Sequence, residues 1–481
     1  MMQISKAIAS ADGLFEDDAE LVRSLVDEWQ SKHARNVLKD QYYNSHVPVK
    51  DLGVSVSPQM ARKLNPRVDW AAKCVDYWAD RTQFEGITSE DESQEEILRR
   101  IVRQNDVKNL IHKVISSALR HSCAFLTVTA GDVERGEPTT VISGYPATAA
   151  TAIWDEAKKR ISAGMVVVET AKFNGSQRRE PKLIYVFTDE YVIILSREAG
   201  ISWQAEYVPH SMGRVPMEPI AYHATLERPF GRSRITRTVM SLVDDAQREM
   251  MNMAAAAAFS AAPQKYLLGA DKSVAEKIAG SPFEAFIGSI FMVTEGKSGK
   301  IPNFGQLPQI TMQPHTEYLR ALAAQFSGST GVPLQSLGVV TDNPSSAEAI
   351  DASKEDAVVD IKSFTNACKR SLETIAVMAL ASENNVSYMD ALGSTGAIAV
   401  NFANPAMPSI VSQSDAMIKQ ISAMPWLAES DIALRELGYT DEQIMQLRSD
   451  RRKAQVRAGA NAFLDKNQAN AEVADADENN E

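Results

Sequence analysis

The sequence predicts an α+β fold, and three observations carry that expectation. Two stretches, 233–262 and 345–392, contain neither glycine nor proline and place apolar residues at three- and four-residue steps, as amphipathic helices do. Between residues 125 and 196 short β-branched and aromatic runs alternate with Gly, Pro and Asn, which reads as strands. Thr330-Gly331-Val332-Pro333-Leu334 then stops one helix, and Asn343-Pro344-Ser345-Ser346-Ala347-Glu348 starts the next. Proline removes a backbone donor at the stop, while Ser345 and Glu348 have the spacing of a capping box at the start. The loop between them, about a dozen residues, has a length that compact proteins keep for a task.

In chain order, Asp17 to Tyr43 is expected as a helix with Leu21, Leu25, Trp29 and Val37 on its apolar face. A second helix carries Val68, Ala71, Ala72, Val75, Trp78 and Ala79, and Cys74 beside that stripe reads as a small buried hydrophobe. A third runs from Ser93 to His121, where His112 and His121 are read as surface or packing residues rather than ligands. Strands are expected at Phe125 to Thr129, Thr139 to Ser143, Ala163 to Glu169, Leu183 to Phe187 and Tyr191 to Ser196.

The 233–262 helix would reach about 45 Å, and its second half is rich in Met and Ala, which lets other helices approach closely. A mixed module containing Tyr266-Leu267-Leu268-Gly269 follows, then a helix from His315 to Ser327. After the loop, Ile350, Ala357, Ile361, Phe364, Cys368, Ile375 and Met378 mark one long helix that continues to Leu392. Short helices are expected at Ser414 to Ser422, Ser430 to Leu437 and Thr440 to Ala458. From Lys466 the chain is Asn, Ala, Asp and Glu without an apolar cluster, and 466–481 reads as a disordered acidic tail.

At 481 residues and 44% hydrophobic content the chain can fill several cores. Its 50 Lys and Arg against 62 Asp and Glu give a net charge of -12, which excludes an overall basic field for gripping phosphates. Cys74, Cys123 and Cys368 have neither metal-ligand nor disulfide spacing. The first residues are too polar for a signal sequence and no apolar run reaches membrane length, so a soluble protein is expected.

No spacing for catalysis, cofactor or metal stands out. Glu295-Gly296-Lys297-Ser298 looks like the end of a phosphate loop, but the required earlier glycine is Phe291, and a charged turn is the better reading. Asp244-Asp245 and the Asp351/Glu355 pair, with Arg248 and Lys354 nearby, read as solvated helix faces rather than acid–base pairs.

Several segments, in order, resemble the bacteriophage portal proteins similar to that of a well-studied Bacillus phage. They are Tyr42-Tyr43, the run Asn65 to Gly86, Ala124 to Val128, Gly213-Arg214-Val215-Pro216, Gly231-Arg232-Ser233-Arg234-Ile235, Pro263 to Gly269, and the stop and start around the loop. The resemblance implies a homo-oligomeric ring, usually dodecameric, at the portal vertex of a capsid, assembled in the host cytoplasm, with no membrane and no cofactor. Double-stranded DNA would pass through it during packaging and ejection. The terminase large subunit, a head-completion or adaptor protein, and capsid and scaffolding proteins would be its partners.

Under that resemblance 1–232 forms a wing, 233–262 a stem helix, 263–312 a clip and 313–330 a second stem helix. Residues 331–344 become a tunnel loop, with Val339, Val340, Thr341, Asp342 and Asn343 as its candidate tip; 345–392 is a long wing helix and 393–465 a helical crown. Glu295, Lys297 and Lys300 are candidate clip-surface residues. An acidic wall weakens phosphate contact, so the acidic balance suits a conduit better than a binder. Two other classes stay open at this point: a different oligomeric virion or cellular scaffold built on the same helices, and a nucleotide-acting enzyme using Lys297.

Overall fold

Ala163, Met165 and Val167 pack with Val22, Leu25 and Val26, whereas Val166 between them packs with Phe125, Phe187 and Met217. That alternation is the period of a strand buried on both faces, and it layers the first part of the chain. Helices α1 (Met2–Ile8) and α2 (Glu16–Tyr43) cover one face of an antiparallel meander. The meander runs β4 (Ala150–Asp155), β5 (Arg160–Lys172), β6 (Arg179–Phe187), β7 (Tyr191–Ser196) and β8 (Gln204–Pro209), neighbours in sequence being neighbours in space. A three-stranded antiparallel sheet has β2 (Cys123–Ala130) at its centre, between β3 (Thr140–Pro146) and β9 (Met217–Ala221).

These elements come from a computed structural model that describes residues 2–50, 64–173, 179–198, 202–261, 265–268, 303–306, 311–339, 347–406, 410–439 and 443–458. The chain divides into two compact units, Met1–Pro405 and Ala406–Glu481. The 466–481 tail, and most of 263–312, lie outside the described residues.

The largest core of the first unit gathers α3 (Trp70–Ala79), β1 (Phe84–Ser89), α4 (Glu92–Gln104), α5 (Val107–His121) and β2 against three further helices. These are α6 (Arg237–Ala261), α7 (Gln313–Thr330) and α8 (Ala347–Asn384). Between α6 and α7 the described residues form an antiparallel strand pair, β10 (Lys265–Leu268) with β11 (Asn303–Gln306). The α+β class is therefore borne out, with α6 and α7 on either side of that strand pair.

Several elements differ from expectation. The single helix from Ser93 to His121 is two helices, because Asp106 takes the left-handed conformation at φ 48°. Asn105 holds the break: its amide donates to the Ile101 and Thr140 carbonyls at 3.1 and 2.9 Å, and its carbonyl accepts from the Ile142 amide at 2.9 Å. The long helix to Leu392 likewise ends at Asn384, where Asn385 turns left-handed at φ 52°; Ser387 then caps α9 (Tyr388–Ser394). Helix α6 begins at Arg237 rather than Ser233, since Thr236 accepts from the Val239 amide and caps it there.

Strands β1, β4, β8, β9 and β12 (Ile398–Phe402) had no expectation, and β12 pairs with β1 from across the sequence. Unit two contains α10 (Ile410–Ala423), α11 (Asp431–Glu436) and a helical run over 443–458, with Met417, Leu427 and Ala433 as a small core.

Candidate functional site at the root of the loop

Arg234 precedes α6 and is only 8% exposed, so its charge must be satisfied inside the fold. Its Nε donates to the Cys74 carbonyl at 2.7 Å, and Nη1 donates to the Tyr222 hydroxyl at 2.6 Å and to Asp360 at 3.2 Å. Nη2 donates to the carbonyl of Thr330, the last residue of α7. The guanidinium carbon also lies over the Trp78 ring, 3.3 Å from its centroid. One side chain thus joins α3, the segment after β9, the start of α6, the end of α7 and the middle of α8.

Asp360 is the opposite pole. It accepts from Trp78 Nε1 at 3.0 Å, Tyr222 at 2.9 Å and Arg234, and its other oxygen meets His223 Nε2 at 2.7 Å. Burial alone would push its carboxyl up, but the bonds from Tyr222 and His223, with the charges of His223 and Arg234, outweigh that and hold it below its usual 3.8. Burial, reinforced by Asp360, holds the Tyr222 phenol well above its ordinary value against the pull of Arg234. Three of these donors converge on Oδ2, and His223 takes Oδ1. The arrangement clamps five parts of the chain together.

Two glycines let the backbone reach the clamp. Gly231 has φ +65°, and a Cβ there would sit 2.1 Å from the Tyr222 carbonyl oxygen. Gly331 caps α7 at φ +71° with its amide bonded to the Ser327 carbonyl; a Cβ there would lie 3.1 Å from the Trp78 ring and 3.9 Å from Ala357. The root of the loop is therefore wedged between Trp78 and the α8 turn that carries Asp360. Val332 and Leu337 are buried beyond it, and Leu334–Leu337 form a 3-10 turn closed by Gly338.

Of the sequence-derived candidates, Val339 is half-buried and packs against the main core. Val340, Thr341, Asp342, Asn343 and Ser345 lie outside the described residues, as do Glu295, Lys297 and Lys300. Glu348 falls in the first turn of α8, with its side chain outside what is described. None of the clamp residues was singled out as a site from sequence, although Arg234 lies in the Gly231 to Ile235 segment and Trp78 in the Asn65 to Gly86 segment. The signal was a cation three residues before a long amphipathic helix, with no carboxylate partner near it in sequence.

Other expectations meet the structure directly. Asp244 is 6% exposed rather than solvated, because Tyr42, 202 residues away, donates to both its oxygens at 2.9 and 3.0 Å and Lys50 pairs with it. Its neighbour Asp245 does pair with Arg248 at 2.7 Å. Helices α6 and α7 are further tied by His315 Nδ1 and Glu249 Oε1 at 2.6 Å. Cys74, Cys123 and Cys368 are buried free thiols, and burial pushes Cys74 up to about 12. Among the described residues there is no cluster of His, Cys, Asp and Glu fit for a metal and no helix long and apolar enough to cross a membrane.

The chain matches the family model described as "Phage portal protein, SPP1 Gp6-like" over residues 23–455. It is 27% identical over 350 residues to the portal protein of Mycobacterium phage L5, covering 70% of this chain and 69% of that one. It is 26% identical over 348 residues to the portal protein of Mycobacterium phage D29, covering 70% and 68%. Among solved structures it is similar to a chain from the virion of a native gene transfer agent particle, at 14% identity and a TM-score of 0.47, covering 81% of this chain and 89% of that one. A chain from the neck of a native gene transfer agent particle computed with C12 symmetry is similar at 12% identity and a TM-score of 0.43, covering 77% and 89%.

Proposed function

Since the chain belongs to the SPP1 Gp6-like phage portal protein family, a family of virion structural proteins, we propose that it forms a closed, dodecameric ring at one capsid vertex and that DNA passes through it. The observation that carries this is the extent of the family match, which takes in both flanking helices, the module between them and the loop. In this reading 1–232 is the wing, α6 and α7 are the stem within 233–262 and 313–330, and 263–312 is the clip. The clip meets the terminase motor during packaging and a head-completion protein afterwards, through a surface that includes Glu295, Lys297 and Lys300. The 331–344 loop faces the channel, 345–392 is the long wing helix and 393–465 the crown.

The clamp gives this reading a physical basis at the loop. Thr330 is the residue from which the loop departs, and its carbonyl is held by the same Arg234 that touches Trp78 and Asp360. The loop root is thus fixed to the wing and to α8 while its tip does other work. Cyclic closure leaves no open interface and is the usual solution for head-to-tail contacts.

Native mass spectrometry and electron microscopy of the purified protein test the ring; a stable monomer or dimer at micromolar concentration would remove this reading. The channel-facing loop is tested by replacing Asp342 and Asn343 with Lys and measuring DNA packaged per head. A positive collar around the duplex should slow packaging while rings stay intact. Normal packaging through intact rings would mean that another segment faces the channel.

A further inference from the structure

Between α2, the edge strand β4 and the 227–237 segment lies a cleft of about 750 Å³. Its charge is opposite to that of the chain as a whole. Arg35, Lys39, Arg228, Arg232 and Arg237 line it, with Glu227 as the one acid in its wall; Lys32 also lines it but is already paired with Glu28. Among the described residues, Arg35, Arg228, Arg232 and Arg237 have no carboxylate partner.

Lys39 makes the charge deficit severe. It is 8% exposed, and its Nζ donates to the His121 carbonyl at 2.9 Å without any carboxylate in contact. A buried ammonium with only a neutral acceptor is costly unless an anion approaches it. The nearby Cys123 thiol does not supply that anion near neutral pH, since burial pushes it up to about 11. The N-terminus of α6, a 25-residue helix, ends at the same cleft with Thr236 and Arg237 in its wall, adding the positive end of the helix dipole.

We propose that this cleft is a binding site for a phosphate-rich anion. One carboxylate cannot balance five cations, whereas a polyphosphate brings several charges into a small volume, and arginine forks match phosphate oxygens two at a time. The cleft has the size of small-molecule sites, and Trp29 and Phe230 in its wall offer aromatic surface beside the cations. The phosphate comes from a free polyphosphate or from the end of a nucleic-acid strand, and the probes below separate the two.

Isothermal titration of the full-length, assembled protein tests this with inorganic tripolyphosphate, ATP, a 5′-phosphorylated single-stranded oligonucleotide and a glutamate-rich peptide. Tripolyphosphate should bind saturably, and Arg35→Glu with Arg228→Glu should weaken it at least tenfold; both residues are exposed. Arg232→Glu is a second variant in case that pair does not fold, with folding followed by circular dichroism. Equal binding of tripolyphosphate and ATP assigns the site to free polyphosphates, and tighter binding of the oligonucleotide assigns it to a strand end. Three results would overturn the proposal: no saturable binding of any phosphate probe, binding unchanged in the variants, or binding of the peptide alone.

Discussion

Arg234 and Asp360, 126 residues apart, meet at 3.2 Å beneath the carbonyl that ends α7, with Trp78 against one and hydrogen-bonded to the other. Removing Arg234 takes its donors from the Thr330 and Cys74 carbonyls, which costs about 1–3 kcal/mol, while Asp360 keeps the bonds from Trp78, Tyr222 and His223. Arg234→Met is therefore expected to lower unfolding free energy by that order, read by urea denaturation. Arg234→Lys should recover only part of the loss, since a point charge cannot reach Cys74, Tyr222, Asp360 and Thr330 together. Wild-type stability in Arg234→Met would show that the clamp is not a stabilising element.

Asp360 also sets a pH dependence. Its folded carboxyl titrates below 3.8, so its stabilising contribution is complete above that value and is lost as pH falls through the lower folded value. Asp360→Asn should be less stable than wild type near neutrality, and the gap should close as pH drops below 3.8. A gap that stays constant with pH would rule out the charged form as the source.

At Gly331 the backbone itself is the test. A side chain at φ +71° is strained, and the added Cβ presses on Trp78 at 3.1 Å. Gly331→Ala should cost about 1–2 kcal/mol, seen as a shifted denaturation midpoint with an unchanged slope. Gly338→Ala, also left-handed at φ +78° but with open space around it, should cost less.

Lys39 titrates in the alkaline range. Burial first, then the charge of Arg35, lowers it from 10.5 to about 8, so the folded protein carries an unfavourable charge below that value and sheds it earlier than the unfolded chain. Stability relative to Lys39→Met should be flat below about 8 and rise between about 8 and 10.5, where the unfolded state binds the extra proton. Denaturation series of both proteins across that range give the difference curve. A flat difference would place the amine in water.

How much of this was legible in sequence follows from range. Local rules placed α2, β7 and the Gly331 stop, because apolar period, β-branched runs and a left-handed cap act over a few residues. Local rules also failed where a polar side chain did the work of a breaker: Asn105 and Asn385 end helices without glycine or proline, and Asn105 does so through Thr140 and Ile142. Strand β12 carries a short period-two pattern, Ile398, Val400 and Phe402 between Gly396 and Pro405, but its pairing with β1, more than 300 residues away, has no local signal.

The sequence by itself determined the α+β class, the long helices α6, α7 and α8 in their order, and the ordered segments of a phage portal protein, since these depend on periodicity and on residues close together in the chain. Only the tertiary structure decided that Asp244 is buried, that Arg234 and Asp360 share one clamp at the loop root, and that five cations of an acidic chain surround one cleft. The reason is that electrostatic and hydrogen-bond satisfaction depends on distance in space, and Tyr42, Trp78, Tyr222 and Thr330 reach their partners only when the layers have packed.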